Sequence, residues 1–504
     1  MADKNSMALD QAGQADQADQ ADQADRMDRH DPGDAPRSIA ELPGPKGAPL
    51  LGNLRQIQPG RFHRNMEDWA REFGPIFRFT MMKRSFVVVS DRDTIAAILR
   101  DRPERFRRSS RTARMLEEAG TRGLFTAEGE EWRRQRKLAM RALTPEVVHR
   151  FFPTLAMMTE RLCRRWKAAL AAGRAVDVLR DLKAYTLDVT IGLAMGQDIN
   201  TLEHEDNPLQ RDIEFCFKRV ARRLTTPLEY WKVFKLPVDR EADAAAARIH
   251  AAIEGFIAQA RARMAADPSL RSKPSNMLEA LVAARDEAGS GFSDSVVIGN
   301  AITMVFAGED TTSNSVAWLL NLLPQSPAAV ALAAGEADRL LGPDTVARDP
   351  QVLERMEYLD AATREAMRLK PVAPFMAAEA NVATQVAGVQ LPAGTVIFLM
   401  LRQAAERAGG FAQPDAFLPG RWLAGAENAA ESASDPARKL MPFGGGPRFC
   451  PGRYLAMAEI KMAMSMILHN FDFTLRPDAQ PAEECFTFTM TPSALPLLLR
   501  ARGA

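Results

Sequence analysis

Cysteine is scarce in this 504-residue chain: Cys163, Cys216, Cys450 and Cys485 lie far apart, with no C-x-x-C pair and no framework spacing. That excludes a disulfide scaffold and points to a reducing compartment. Six histidines are equally scattered, so neither an H-E-x-x-H site nor a His/Cys zinc cluster can be read. Charge of one sign is lacking too: Lys plus Arg number 65 against 64 Asp plus Glu, a formal net of +1. No basic tail or arginine stripe interleaved with aromatics is present, so no nucleic-acid partner is expected. Long apolar runs are missing. The closest stretch, "AITMVFAGEDTTSNSVAWLL", carries two acids in its middle, short of the roughly 18 apolar residues a span needs. With no signal peptide or anchor at its start, the chain is expected to be cytoplasmic.

What is present is a globular sequence behind a polar tail. "QADQADQADQAD", Gln14 to Asp25, repeats every three residues and fits neither a buried helix face nor a strand. Residues 1–37 are therefore expected to be a disordered tail, and 38–504 a single domain. "LPGPKGAPLLGNL" from Leu42 sets a stiff lead-in. Ile76 to Ser90 reads as two short strands, and Asp91 to about Pro371 as long amphipathic helices. "QVAGVQLPAGTVIFLM" and "CFTFTMTPSALPLLLR" add β-prone runs. The expected class is mainly α with small β-sheets (α+β).

One cysteine differs from the rest. In "FGGGPRFCPG", Cys450 follows Gly444, Gly445, Gly446 and Arg448 and precedes Pro451 and Gly452. The glycines permit a backbone that a flat ligand can approach, and the turn after the sulfur leads into the helical stretch "RYLAMAEIKMAMSMIL". A thiol before a helix N-terminus is expected to have a lowered pKa, favouring the metal-binding thiolate. Arg448 adds a charge suited to a carboxylate. The loop reads as a holder for something flat, anionic at its edge and metal-bearing.

Three further patterns admit two readings each. "FAGEDTTSN" interrupts a long apolar helix, from about Ser293 to Leu323, with a small pair and an acid-hydroxyl run; its hydroxyls can serve chemistry or simply bond back to helix carbonyls. Glu365 and Arg368 in "REAMRLKP" share a helix face, which is structural if buried and worth little if exposed. Trp132 and Arg136 in "EWRRQRKLAM" stand at i, i+4, on a ligand-facing or merely solvated face.

Phe443, Gly446, Arg448, Cys450 and Gly452 reproduce F-x-x-G-x-R-x-C-x-G, and the chain resembles the cytochrome P-450 family of haem-thiolate monooxygenases over about Leu42 to Arg500. The resemblance implies that fold, with haem b (iron protoporphyrin IX) held between a long distal helix and the cysteine loop, and Cys450 as the axial iron ligand. It implies that Arg448, Trp132 and Arg136 contact haem propionates. Ala307, Gly308, Asp310 and Thr311 match the family's A/G-G-x-D/E-T helix: Thr311 would position and protonate bound oxygen, Asp310 would relay protons from solvent, and Ala307 and Gly308 would leave room. Glu365, Arg368 and Arg421 of "FLPGRWL" would form a structural Glu-Arg-Arg network. "KPVAPFMAAEANVATQVAG" lacks the arginine that many members use for a propionate. By family position the substrate pocket would be lined by Leu124, Phe125, Thr303, Met304, Phe306, Val372, Phe375, Met376 and the Thr489-Met490 turn, mostly apolar residues that suit a lipophilic substrate.

The expected activity is insertion of one atom of O2 into that substrate by hydroxylation or epoxidation. A peroxygenase, isomerase or dehydratase on the same fold, and a non-catalytic haem sensor or carrier, are the alternatives, and the Asp310-Thr311 pair disfavours them. With no flavin or nicotinamide segment of its own, the chain is expected to take NAD(P)H electrons through a separate ferredoxin and ferredoxin reductase or a flavoprotein. Docking on Arg133, Arg134 and Lys137 is expected, as is a monomer.

Overall fold

The computed structural model describes residues 36–204, 207–226, 228–287, 290, 292–407, 411, 413–423 and 440–503. The Gln14 to Asp25 repeat lies outside them. Arg37 does not belong to a disordered tail: it pairs with Val389 in a strand, and its N–H donates to the Gly388 carbonyl at 2.9 Å.

Strand β1 (Arg37–Ser38) leads to helix α1 (Phe62–Phe73) and the hairpin β2 (Ile76–Met81) and β3 (Arg84–Val89), the two strands expected there. After α2 (Arg92–Arg100), β4 (Phe106–Arg108) and α3 (Ser110–Glu118), the helical body runs through α4 (Gly129–Ala142), α5 (Pro145–Ala171), α6 (Val178–Met195), α7 (Pro208–Thr225), α8 (Pro237–Ala266) and α9 (Met277–Asp286). Next come α10 (Asp294–Leu322), α11 (Pro327–Leu341), α12 (Pro350–Glu354) and α13 (Glu357–Leu369). The second β region supplies β5 (Met376–Ala380), β6 (Thr384–Val386), β7 (Val389–Leu391) and β8 (Val396–Leu399). Helix α14 (Leu401–Arg407) follows, then α15 (Arg453–Asn470), β9 (Phe471–Leu475), β10 (Glu484–Phe486), β11 (Met490–Pro492) and β12 (Leu497–Ala501). The largest sheet has the order β2-β3-β8-β5-β4 and joins strands more than 300 residues apart in sequence.

Helix α10 is the axis of the body. Ser293 caps it by accepting from the Val296 N–H, and Pro324 ends it; at 29 residues it is about 43 Å long. Nearly all of it is buried, which its apolar composition on every side requires. It packs on α6 along one side and on α13 and α15 along another. That contact divides the core. One cluster joins α5, α6, α11, α13 and α15 to the C-terminal half of α10 around Trp166, Leu319 and Ile467; a second joins α6, α7, α8 and α9 to its N-terminal half around Phe217, Ile253 and Leu281. The functional residues sit where the two halves meet above α15.

Candidate haem-thiolate site

The cysteine loop is fixed by its backbone. The Cys450 N–H donates to the Phe443 carbonyl at 2.8 Å, closing the turn, and Phe449 N–H donates to the Gly446 carbonyl at 3.2 Å. Gly446 sits at φ +62°, and a Cβ there would overlap the Leu99 carbonyl oxygen at the end of α2. Any other residue would push the loop off that helix. Gly452 immediately precedes α15, and its N–H reaches the Cys450 sulfur. The sulfur is thus placed as the sequence suggested, but its titration is not: burial raises the Cys450 thiol, outweighing the Gly452 N–H, Arg136 and Arg453. The helix terminus alone does not make a thiolate here. Desolvation of the anion is the larger effect, and a metal cation is the complement that would offset it.

Beside the loop lies an excess of buried cations. Trp132 and Arg136, buried on α4, meet the loop directly: the Arg448 guanidinium lies 4.6 Å from the Trp132 ring centre, and Arg136 lies 4.5 Å from that of Phe449. Arg448 donates to Glu128 at 2.5 Å and to the Ala127 carbonyl at 2.6 Å. Arg102, and Arg108 from the loop "RRSSRTARM" that the sequence offered only as a clamp for a substrate carboxylate, join them. Arg108 donates to the Phe125 carbonyl at 2.9 Å, and Arg102 is 2% exposed. Among the described residues, buried nitrogens of Arg102 (Nε, Nη2), Arg136 (Nη2) and Arg448 (Nε) have no hydrogen-bond partner. Burial pulls the Arg448 guanidinium down to about 10, with Glu128 opposing and Arg102 and Arg136 adding to the fall; Arg102, Arg108 and Arg136 are lowered as well, burial leading in each. Glu128 is the carboxylate hydrogen-bonded to Arg448, with Glu104 adding a weaker pull, and the unpartnered nitrogens form a set that two further carboxylates would satisfy. A group bearing both a metal centre and two carboxylates fits this donor set.

Above the loop, α10 turns its small-residue segment to the site. Ala307 is exposed there, Thr311 is half-buried, and the Thr311 hydroxyl donates to the Ala307 carbonyl at 2.7 Å. The neighbours of Asp310 and Gly308 are set by packing. The Asp310 carboxylate accepts from Asn314 Nδ2 at 3.1 Å and from the Thr489 hydroxyl, and it is 5% exposed. Gly308 does not simply open space, because a Cβ there would overlap the Thr190 hydroxyl on α6. The glycine lets two helices approach.

The expected pocket is partly assembled. Phe306 packs on Phe217 with ring centres 4.7 Å apart; Phe217 reaches Phe488 at 5.8 Å, and Phe488 reaches Phe125 at 6.3 Å. Phe217 and Phe488 were not foreseen, because α7 and the β10–β11 turn carry no local mark of facing the site. Leu124 and Met304 pack at the edge of the same cluster. Thr303 is buried and bonds back to the Gly299 carbonyl at 2.6 Å. Met376 comes within reach of the cysteine loop at Gly444, and the carbonyl of half-buried Val372 accepts from the Met490 N–H at 2.8 Å. Phe375 and Met490 do not belong to the roof. Phe375 stacks with Phe62, Phe398 and Phe486 under the large sheet. Met490 is fully buried, its carbonyl accepting from Trp318 and its sulfur lying 3.6 Å from Arg402.

Below, Glu365 holds the scaffold. Its carboxylate accepts from Arg368 Nε and Nη2 at 2.9 Å each, Arg421 Nε at 3.0 Å, the Leu418 N–H at 3.0 Å and Trp422 Nε1 at 2.8 Å. Arg421 is therefore part of the network.

Fold and donor set together fit a haem-binding protein. The cytochrome P450 family model matches residues 42–499, and the chain belongs to that family. It is 27% identical over 452 residues to the self-sufficient cytochrome P450 monooxygenase CYP505E5 of Aspergillus niger, covering 88% of this chain but 41% of that longer protein. It is 27% identical over 468 residues to human 25-hydroxyvitamin D-1 alpha hydroxylase, mitochondrial, covering 89% of each. Protein LUTEIN DEFICIENT 5, chloroplastic, of Arabidopsis thaliana is 24% identical over 452 residues, covering 87% of this chain and 74% of that one. The chain is a haem-dependent monooxygenase that uses O2 and NAD(P)H electrons delivered through a redox partner.

Proposed function

We propose that this monooxygenase oxidises an apolar small molecule held under the roof of Phe125, Phe217, Phe306 and Phe488. The observation that carries the reading is this run of four rings joined by three contacts, starting at Phe306 next to Ala307 on α10. Aromatic walls bury an apolar ligand's surface without immobilising polar groups. Arg108, over the Phe125 ring at 3.5 Å, is committed to the carboxylate side of the site.

Haem, when bound, supplies oxygen activation at an iron held by a thiolate. The residues of the chain would do the rest. Cys450 would ligate the iron, with the Gly452 N–H and the closed turn fixing the sulfur. Trp132, Arg136, Arg448, Arg102 and Arg108 would bind the propionate edge. The Thr311 hydroxyl, now turned to the Ala307 carbonyl, would hold a proton at Oγ1 facing the site. The roof would exclude water.

For the partner, we propose a separate ferredoxin or flavoprotein docking on the exposed side of α4. Arg133 is held there by Glu130 and Glu104, leaving Arg134 and Lys137 as the charges a partner would meet. The four free thiols support a cytoplasmic setting. The chain is proposed to act as a monomer, which sedimentation of the haem-loaded protein tests. The first experiment is the spectrum of dithionite-reduced protein under carbon monoxide. A strongly red-shifted Soret band absent from Cys450→Ala supports the reading, and haem bound without that band overturns it. Screening apolar compounds by spin-state shift then tests the substrate class.

A further inference from the structure

Asp310 is tied to Asn314 and Thr489, but its neighbour Glu309 takes no part in anything described above. Glu309 is 1% exposed, and its Oε2 has no partner among the described residues. Its carboxyl lies on the side of α10 that packs on α6, where Thr186 donates to the Glu309 carbonyl at 2.8 Å. One turn further along α6 is Thr190, whose hydroxyl also lacks a partner and fills the notch left by Gly308. One turn back toward the surface is Lys183, 4.0 Å from Glu214 of α7; these two side chains are 21% and 28% exposed. Lys183, Thr186 and Thr190 recur at i, i+3 and i+7 and so share a face. They form a polar line from solvent to the backbone of α10, at the turn carrying Ala307 and Thr311.

Buried polar groups are almost always satisfied, by protein or by ordered water. Glu309 Oε2 and the Thr190 hydroxyl, which meets α10 at Gly308 one residue before Glu309, both lack partners among the described residues and are where a bridging water would be held. Burial raises the Glu309 carboxyl well above its usual range, with Lys183 opposing and Asp310 and Glu214 adding to the rise. Glu459 of α15, bonded to Thr312 and likewise raised by burial, is the acid one turn further along. Burial thus favours the protonated form of the Glu309 carboxyl.

We propose that Glu309 is a proton store for the distal site, refilled from solvent past Lys183 and Glu214 and emptied through the Thr190 hydroxyl at the Gly308 notch. This rests on the monooxygenase reading. The proton leaves the carboxylic O–H, the electron pair stays on the carboxylate beside Lys183, and solvent returns a proton along the Lys183–Glu214 edge. Glu309 touches neither substrate nor iron, so it is a positioning residue for the proton that Thr311 presents.

Infrared spectroscopy of the full haem-loaded chain tests the first half. A protonated-carboxyl band should be lost in Glu309→Gln, kept in Asp310→Asn and distinct from the band lost in Glu459→Gln. On transfer to D2O it should shift within minutes while the fold stays intact, and Lys183→Met should slow that shift. No such band, or one unshifted after hours, overturns the store. The second half is read from hydrogen peroxide released per NAD(P)H consumed. Glu309→Gln and the isosteric Thr190→Val should each divert electrons to peroxide, so that less product forms per NAD(P)H consumed. Glu309→Gln should also flatten the alkaline limb of the wild-type pH profile. Unchanged coupling in both variants refutes the route. If the wild type makes no product with any electron donor, the monooxygenase reading falls, and the D2O shift alone decides the solvent link.

Discussion

Replacing Glu365 by glutamine tests whether the buried network carries the stability that its geometry implies. In the native site Oε1 accepts from Arg368 Nη2, the Leu418 N–H and Arg421 Nε, while Oε2 accepts from Arg368 Nε and Trp422 Nε1. Glutamine keeps one acceptor oxygen. If its amide nitrogen takes the place of Oε2, two buried donors lose their acceptor, at about 1–3 kcal/mol each. That sum agrees with the roughly 3–5 kcal/mol expected when one partner of a buried ion pair is removed. Urea unfolding followed by tryptophan fluorescence should show a loss of that size, because Trp422 reports the site itself. The matched control is Arg364→Met, which breaks the half-exposed pair with Asp360 on the same helix and should lose less than about 1 kcal/mol. Acid provides a second readout. Burial alone would raise the Glu365 carboxyl, but Arg368, the Leu418 N–H and Arg421 hold it below its usual range. The unfolded chain therefore binds that proton more tightly, so the stability from this group is present above about pH 4.3 and lost as pH falls through the folded value. Glu365→Gln should lose that part of the acid limb. A glutamine variant no weaker than the Arg364 control would refute the reasoning.

Gly446→Ala should abolish stable haem retention, measured as the haem-to-protein ratio after gel filtration. Its Cβ would overlap the Leu99 carbonyl, and φ +62° adds about 1–3 kcal/mol of strain; an unchanged ratio would sink the account. Arg102→Met should leave the chain as stable or more so, since a buried cation is removed from three others, yet haem should leave it faster in transfer to apomyoglobin. Phe488→Ala removes ring contacts to Phe125 and Phe217 worth about 0.5–1.5 kcal/mol each, so apolar ligands should bind roughly fivefold to a hundredfold more weakly in spin-state titrations. Thr311→Ala should keep haem but raise peroxide release per NAD(P)H; unchanged coupling removes the Thr311 hydroxyl from proton delivery.

The cysteine loop was legible because its constraints are local: the turn, the glycines and the helix start all lie within ten residues of the sulfur. The long distal helix was legible from its length and its Ser293 and Pro324 ends. What escaped was set by tertiary packing. Nothing near Arg102 or Arg108 distinguishes them, among 65 basic residues, as the two that fold inward beside Arg448. Phe217 and Phe488 become neighbours only when α7 and the β10–β11 turn are brought together. Met490 was assigned to the pocket instead of Phe488 because the turn between those strands resets which side each residue faces. Glycine at 308 reads as space, but which side chain fills that space depends on the α6 contact. The titration of Cys450 was misjudged for the same reason, since helix ends are visible in sequence and desolvation is not.

These missed features share a physical sense. The chain buries a sulfur whose ionised form is disfavoured by desolvation, and a few residues away it buries four guanidiniums, one of them hydrogen-bonded to Glu128. Each arrangement taken alone is unfavourable. A single ligand with a cationic metal at its centre and two carboxylates on one edge compensates both at once, so binding energy and folding energy become coupled through the same residues. Weakening either side should then loosen the other: a variant lacking the Cys450 sulfur should hold haem less well even with every arginine intact, and one lacking Arg102 should do so with the sulfur in place. If losing both together weakens haem retention by more or less than the sum of the two separate losses, the difference measures that coupling directly.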